Sequence, residues 1–259
     1  MPVEAKKRHI YMSIDVNCDM GESFGRFKLG DDEAILPYVT SANIACGLHA
    51  GDPSIMRATV RSARQHNVGI GAHPSWPDLQ GFGRREMKLA PEEAEAFVLY
   101  QVGALAGIAR SEQAMLIHVK PHGALYNQAA TDRDVARAIA RAVRGLDANL
   151  ILVGLAGSML IEEAIEAGLK VAQEGFADRR YESDGTLRPR KQRGSVIETP
   201  EEVAAQALKL AIQGISVGQS SIGVDSLCLH GDHPRAVENA RLVRTSLEKE
   251  GIRVRGLAH

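Results

Sequence analysis

Short apolar runs alternate with amphipathic segments along the whole chain, and this alternation restricts the possible folds more than any other feature. The strand-like runs lie at 10–17, 42–46, 69–72, 115–119, 150–155, 170–174 and 225–229. The clearest helical patterns lie at 53–66, 91–110, 134–144 and 200–213. Because strands that alternate with helices form a parallel sheet covered by helices, the sequence predicts an α/β fold.

Helix ends carry recognisable signals. Thr199 precedes a proline and two glutamates, the pattern of a hydroxyl cap at a helix start. Asp52 and His233 each precede a proline in the same way. Glycines typical of helix ends are Gly168, Gly214 and Gly251. No shift in composition marks a second domain, so we expect a single domain over residues 1–259, with the Gly- and Arg-rich stretch 178–193 as a loop inside it.

Polar residues recur on one face of successive strands, close to their carboxyl ends. With side chains alternating between faces, the residues that share this face are Asp15, Asn17, Asp19, Asn43, His49, Gly71, His73, His118, Lys120, His122, Glu174, Asp178, Cys228, His230 and Asp232. Charged groups facing the middle of a sheet are costly unless they line a wet cavity and pair there. Polar groups that converge from the ends of most strands are typical of a (β/α) barrel, whereas a doubly wound sheet gathers them at one switch point.

The number of strands bears on the kind of barrel. Seven strands are evident, and 252–257 is too short and too basic to add a secure eighth. The sequence therefore predicts an incomplete, seven-stranded (β/α) barrel.

Each inward polar residue also has a purely structural interpretation. A single inward histidine is more often a hydrogen-bonded core residue than a catalyst, and we expect this of His118. Asp15 is also compatible with capping a turn. These interpretations fail together, because each would have to recur independently on separate strands with the same phase.

Metal binding stays open at this stage. His118 and His122 are spaced HxxxH, but on a strand their rings lie roughly 13 Å apart, too far to share one ion. Residues from separate strands that could bind a divalent metal are Asp15, Asp19, His49 and His122. Cys46 is in phase with Ile44, so we expect it to face the helices as a small buried hydrophobe rather than to act as a nucleophile.

Composition excludes several classes of function. Lys and Arg total 31 against 32 Asp and Glu, and aromatic residues make up 4%, so we expect no nucleic-acid partner. No apolar run approaches the roughly 18 residues of a membrane span, so we expect no membrane partner. Three cysteines without a CxxC pair favour a reduced, cytoplasmic setting. The chain contains no P-loop sequence for ATP.

Several long segments resemble the LamB/YcsF family from the first strand to the last. They are DVNCDMGESFG (15–25), NIACGLHAGDP (43–53), GAHPS (71–75), GFGRR (81–85), VKPHGALYN (119–127), FADR (176–179) and HGD (230–232). The resemblance implies a barrel of the glycoside hydrolase/deacetylase type. It also implies ATP-dependent opening of 5-oxoproline to L-glutamate, with two partner subunits, B and C, and ATP bound largely by those partners. Sugar deacetylases of similar fold often hold a divalent metal, so a metal remains possible.

This resemblance suggests roles for the inward residues. Lys120 would stabilise negative charge on the carbonyl or phosphoryl oxygen, Asp15 or Glu174 would activate water, and His49 or His122 would protonate the ring nitrogen. Arg84 or Arg179 would bind the substrate carboxylate. The other expected substrate-binding residues are Asn17, Asp19, Glu22, Asn43, His73, Asp178, His230 and Asp232.

Two features have competing interpretations. A cation-rich loop carries Arg179, Arg180, Arg188, Arg190, Lys191 and Arg193; it could close over an anionic substrate, dock a partner, or be merely exposed. The alternative functions are a metal-dependent carbohydrate or amide deacetylase and a non-catalytic binding subunit.

Overall fold

The computed structural model describes residues 13–190 and 192–258. Its strands are β1 (Ser13–Met20), β2 (Ser41–Ala45), β3 (Gly69–His73), β4 (Leu116–Val119), β5 (Ile151–Leu155), β6 (Lys170–Phe176), β7 (Ile215–Val217), β8 (Ser220–Ile222), β9 (Ser226–Leu229) and β10 (Arg253–Val254). All seven expected strands are present. The first three residues of the expected 10–17 run lie outside the described residues.

The helices alternate with these strands. They are α1 (Asp32–Ile35), α2 (Pro53–Gln65), α3 (Pro91–Ser111), α4 (Gly123–Ala129), α5 (Arg133–Leu146), α6 (Met159–Glu166), α7 (Pro200–Gln213) and α8 (Ala236–Lys249). Two of the expected caps form: Asp52 accepts hydrogen bonds from Ser54 N–H (2.8 Å) and Ile55 N–H (3.0 Å), and Thr199 accepts one from Glu202 N–H (3.4 Å). The helix start expected at His233 is wrong, because α8 begins at Ala236 with Arg235 as its N-cap.

The parallel strands close into a barrel. Hydrogen bonding follows the order β1-β2-β3-β4-β5-β6-β9, and β9 pairs again with β1. β10 adds only two residues beside the beginning of β1. The predicted seven-stranded barrel is confirmed; it has one strand fewer than the eight of a TIM barrel, yet it closes on itself.

The two faces of the barrel strands have opposite chemistry, as the alternation predicts. Outward residues form the apolar core against the helices, among them Val16, Cys18, Met20, Ile44, Cys46, Ala72, Val119, Leu152 and Leu227. Most inward residues are polar and equally buried, among them Asp15, Asn17, Asn43, His118, Lys120 and Glu174. β5 is the exception among the barrel strands described, since its inward residues Val153 and Leu155 are apolar. The barrel interior is therefore a polar column enclosed by an apolar layer.

The connections differ from expectation in detail. Residues 178–193 form part of the loop between β6 and α7, which two isolated bridges fold back on itself, Arg179 with Val196 and Tyr181 with Leu187; Lys191 lies outside the described residues. The antiparallel pair of β7 and β8 was not predicted, because strands of three residues carry too little alternation. Within the described chain, no helix is both long and apolar enough to cross a membrane.

Candidate active site

The floor of the polar column is formed by Asp15 on β1. Its Oδ1 accepts hydrogen bonds from Thr40 Oγ1 and Ser41 Oγ, each at 2.7 Å, and its Oδ2 accepts one from Ser226 Oγ. Burial raises the pKa of Asp15, although the three hydroxyl donors act against this. Both carboxylate oxygens are thus occupied by structural partners. The alternative in which Asp15 activates water is not supported by this geometry.

His118 also belongs to the structural part of the column. Its Nε2 lies 2.8 Å from Asn43 Oδ1, and burial lowers the pKa of His118 to about 3. A Cβ at Gly71 would lie 2.0 Å from His118 Nε2. The glycine therefore makes room for the ring on the neighbouring strand, and His118 has the structural position expected of it.

Glu174 on β6 occupies the next level. Its carboxylate accepts hydrogen bonds from Asn17 Nδ2 (2.8 Å) and Tyr126 OH (2.7 Å) and pairs with Lys120 Nζ at 2.9 Å. Tyr126 comes from α4 and was not among the expected residues. It lies within the VKPHGALYN segment, but strand alternation gives no information about the direction of a helical side chain.

Lys120, directly after β4, stands at the centre. Its Nζ lies 3.0 Å from Asp19 Oδ1, 3.0 Å from Cys228 Sγ and 3.1 Å from Asn17 Oδ1. Burial alone would lower the pKa of Lys120, but the neighbouring acidic groups hold it well above its usual value. Burial raises the pKa of Cys228, so a protonated ammonium lies beside a neutral thiol.

A histidine cluster, defined here as Glu22, His49, His73 and His122, lies nearer the mouth. One ligand atom from each residue lies within 4.8 Å of every other. Glu22 Oε1 is 3.8 Å from both His49 Nε2 and His122 Nδ1, and the rings of His49 and His122 stack at 4.0 Å. Burial raises the pKa of Glu22, and burial lowers the pKa of His49 and of His122.

Backbone carbonyls fix the ring protons in this cluster. His73 Nδ1 donates to Lys120 O (2.7 Å), and His122 Nε2 donates to Phe82 O (2.9 Å). The remaining lone pairs, on His73 Nε2 and His122 Nδ1, then face each other at 3.0 Å. Acceptors this close require a cation between them, either an additional proton or a metal ion.

A tight turn makes this arrangement possible. The Phe82 carbonyl belongs to the GFGRR segment, and Phe82 itself has a positive φ of 55°. At the start of α4, Gly123 has φ 59°, and a Cβ there would lie 2.4 Å from Gly83 O. The glycine therefore permits the turn to pack directly over His122.

The histidine cluster fits a divalent metal by the nature of its donors. Neither ring nitrogen of His49 has a hydrogen-bond partner among residues 13–190 and 192–258, although both atoms are buried. Neutral imidazoles with a carboxylate are a common ligand set for divalent ions, and the carbonyl partners of His73 and His122 orient the rings as outer-shell groups do. The geometry favours this set over Asp15, Asp19, His49 and His122, because Asp15 lies at the floor.

A second group of possible ligands consists of Asp19, Cys228 and His230. Lys120 Nζ already lies 3.0 Å from both Asp19 Oδ1 and Cys228 Sγ. The ammonium thus supplies the positive charge that a metal ion would otherwise provide.

The mouth of the barrel carries the remaining expected residues. Asp178 accepts a hydrogen bond from His230 Nδ1 at 2.8 Å, and Arg84 donates to Asp232 Oδ2 at 2.6 Å. Arg84 also lies 4.8 Å above the Phe82 ring. Phe82 contacts the stacked histidines, and Phe176 lies between Tyr126 and His230. These two phenylalanines were not among the expected residues. Phe176 is in phase with Glu174 on β6, which marks it as inward, whereas Phe82 lies in a turn that strand alternation does not reach.

The structure therefore brings the expected residues into one connected column that runs from Asp15 to Asp232. At the floor the Asp15 carboxylate is satisfied by internal hydrogen bonds, although His118 Nδ1 has no partner among the described residues. In the histidine cluster, both ring nitrogens of His49 lack a partner within the same part of the chain. Protonated ammonium, exchangeable protons and arginines together can stabilise an oxyanion, transfer protons and bind an anionic substrate.

Comparisons with known proteins identify the family. The family model described as LamB/YcsF family matches residues 14–259. The chain is 56% identical over 249 residues to the A subunit of 5-oxoprolinase from Methylococcus capsulatus, covering 95% of this chain and 96% of that protein. It is 49% identical to the lactam utilization protein from Thermus thermophilus, whose crystal structure it matches with a TM-score of 0.88 and coverage of 95% and 100%.

A more distant structure bears on the fold alone. The chain superposes on the structure of the T48 deacetylase with substrate at a TM-score of 0.51 and 10% identity, covering 95% of this chain and 89% of that one. The barrel is therefore deacetylase-like in fold. By the match over residues 14–259 and the high identity to full-length relatives, the chain belongs to the LamB/YcsF family.

Proposed function

We propose that this chain is the A subunit of an ATP-dependent 5-oxoprolinase, a hydrolase that opens the cyclic amide of 5-oxoproline to give L-glutamate. The observation that carries the proposal is the 56% identity to the A subunit of a 5-oxoprolinase over nearly the full length of both chains. The connected polar column supplies groups suited to the reaction.

The chemistry explains the need for ATP. A five-membered lactam is a poor electrophile and closes readily, so its hydrolysis has to be coupled to a favourable reaction. Phosphorylation of the lactam oxygen makes the ring carbon open to attack by water. Because the sequence has no P-loop, we assign nucleotide chemistry largely to partner subunits B and C.

Lys120 is assigned to stabilise the negative charge that develops on the substrate oxygen. The ammonium is held protonated by Asp19 and Glu174, and it is fixed by four partners. A charge oriented in advance in a water-poor site requires little rearrangement during the reaction. Glu174, like Asp15, has both carboxylate oxygens engaged by protein groups, so neither expected base is assigned to activate water, and Glu174 is assigned to hold the Lys120 ammonium in place.

The histidine cluster is assigned to protonate the ring nitrogen as the carbon–nitrogen bond breaks. His122 Nδ1 directs its lone pair towards Glu22 and His73, so it can accept a proton from Glu22 and pass it to the ring nitrogen. Glu22, with its raised pKa, provides a protonated carboxyl group beside it.

A divalent metal, if bound, would be held by Glu22, His49, His73 and His122. It would supply Lewis-acid polarisation of an oxygen and a lowered pKa for bound water. The alternative function of a carbohydrate or amide deacetylase is not favoured, because the likeness to a deacetylase concerns the fold alone.

The decisive experiment is an assay of glutamate formation from 5-oxoproline and ATP, with the two partner subunits and without them. We expect turnover only with all three chains. In the complete complex, Lys120→Ala should lower turnover by a factor on the order of 10³ while assembly, followed by size-exclusion chromatography, is retained. An assembled Lys120→Ala complex with unchanged turnover would support the non-catalytic alternative.

We further propose a cytoplasmic location and a single barrel domain. The three cysteines of the chain are free and buried, which suits a reducing compartment.

A further inference from the structure

An arginine cluster, defined here as Arg84, Arg179 and Arg190, lies at the mouth of the barrel. Arg84 follows β3, and the other two come from the loop between β6 and α7. Arg84 and Arg190 donate to the same oxygen, Asp232 Oδ2, at 2.6 and 3.4 Å. One carboxylate oxygen therefore faces two guanidinium groups, which leaves positive charge uncompensated.

Arg179 is the buried member of the cluster. It is 7% exposed, its Nη2 donates to Arg188 O at 2.7 Å, and its Nε has no hydrogen-bond partner within the described part of the chain. Burial lowers the pKa of Arg179, and the nearby charge of Arg190 lowers it further. A buried guanidinium close to another one and lacking a partner for its Nε is a costly arrangement unless an anion binds there.

The carboxylates nearby do not balance this charge. Asp178, adjacent to Arg179, is already hydrogen-bonded to the backbone and the ring of His230. Asp232 is shared by Arg84 and Arg190. Three guanidinium groups thus face one shared carboxylate and one that is engaged elsewhere.

The position of the arginine cluster relates it to the reaction. The charge of Arg84 contributes to the lowered pKa of His49, and Arg84 lies above Phe82, whose ring contacts His49 and His122. On the other side, Asp178, which precedes Arg179 in the chain, is hydrogen-bonded to His230, and the ring of His230 stacks on Phe176. An anion held by the cluster would therefore adjoin the histidine cluster without occupying it.

We propose that the arginine cluster is a phosphoryl-binding subsite of this chain, in place of the carboxylate-binding role expected of Arg84 or Arg179. A carboxylate is a monoanion that one planar guanidinium fork can bind, whereas a phosphoryl group is dianionic and has three oxygens to satisfy. This deepens the proposed function and rests on it: the ligand is the phosphoryl group carried by the activated lactam or released from it as inorganic phosphate.

Titration of the full chain with inorganic phosphate, followed by ³¹P NMR, tests the subsite. We expect saturable binding that Arg179→Gln and, separately, Arg190→Gln weaken at least tenfold. Arg235→Gln is the matched control, because Arg235 is exposed and pairs with Glu238 at the start of α8; it should bind phosphate as the unaltered chain does. Circular dichroism establishes that each variant is folded, and Arg179→Lys, which keeps the charge, should recover part of the affinity.

Titration with 5-oxoproline separates the two kinds of anion. We expect both glutamine variants to retain affinity for 5-oxoproline within twofold. Equal losses for phosphate and 5-oxoproline would overturn the proposal and make the arginine cluster a carboxylate site, and absence of saturable phosphate binding would also overturn it. Glutamate formation by the unaltered three-subunit complex is measured in parallel. A failure of the subsite with turnover intact leaves the proposed function standing, whereas absence of turnover contradicts that function whatever phosphate does.

Discussion

The floor and the mouth of the barrel both contain buried carboxylates and histidines, but these side chains differ in their hydrogen-bond partners. At the floor, Asp15 is surrounded by hydroxyl donors and His118 is paired with Asn43. At the mouth, both nitrogens of His49 and the Nε of Arg179 lack partners among the described residues. A carboxylate that is satisfied internally, such as that of Asp15, contributes to the fold. Within the described chain His118 Nδ1 at the floor is unpartnered too, so the mouth differs in gathering several unpartnered groups around one space.

Lys120 separates the two regions. Below it, Glu174 and Asn17 complete the hydrogen bonds of the floor, and above it Asp19 contacts His73 at 3.3 Å. The ammonium neutralises carboxylates on both sides, which keeps the column intact. The histidine cluster is not needed for this neutralisation and is available for proton transfer. The comparison predicts that substitutions at the mouth affect activity and substitutions at the floor affect stability.

The largest effect is expected at the mouth, for Glu22→Gln. Glutamine has nearly the same shape as the protonated carboxyl but cannot exchange a proton, so glutamate formation by the complete complex should fall by a factor on the order of 10²–10³. The free energy of unfolding, measured by urea denaturation, should change by less than about 0.5 kcal/mol. Glu248→Gln, an exposed control on α8 paired with Arg244, should affect neither. If Glu22→Gln lost much stability and kept normal turnover, Glu22 would be a structural residue like those at the floor.

A smaller effect, on stability rather than on turnover, is expected for Asp15→Ala. The substitution leaves the hydroxyls of Thr40, Ser41 and Ser226 without their acceptor, which should cost about 3 kcal/mol of unfolding free energy. Turnover per folded molecule should stay within about tenfold, since Asp15 does not face the mouth. A variant of unchanged stability but abolished turnover would restore Asp15 as the water-activating base.

The alternation of the strands was sufficient to predict which residues face the barrel interior. The period of two forces Asp15, Asn17 and Asp19 onto one face, and the same holds for His118 and Lys120. Depth along the barrel axis was harder to assign. Asp15 precedes Asp19 by four residues, or roughly 13 Å of strand, so it cannot share a metal site with residues at the mouth.

Other parts of the site depend on contacts that no strand pattern contains. Tyr126 reaches Glu174 from a helix, and the Phe82 carbonyl reaches His122 from a turn. Both segments belong to the family motifs, so the resemblance marks them without giving their geometry. Closure of seven strands likewise follows from the pairing of β9 with both β1 and β6, which local periodicity does not determine.

The smallest effect is expected for Asp32, whose side chain holds the turn at Gly21, directly after β1. Its Oδ2 accepts a hydrogen bond from Gly21 N–H at 2.8 Å, and burial raises the pKa of Asp32 to about 6. The usual pKa is 3.8, so between pH 4 and pH 6 the folded protein binds more protons at this carboxyl than the unfolded chain does. This group therefore makes the free energy of unfolding fall as pH rises through that window, with no further change above it. The shift corresponds to about 3 kcal/mol for a fully buried carboxyl, and solvent screening of this partly exposed one reduces the fall to about 1–2 kcal/mol.

Comparison with Asp32→Asn isolates this contribution. The difference in unfolding free energy between the unaltered chain and Asp32→Asn, measured by urea denaturation from pH 3.5 to 7, should decrease through the window and then level off. A flat curve for Asp32→Asn would mean that water reaches the carboxyl of Asp32 and that burial does not raise its pKa.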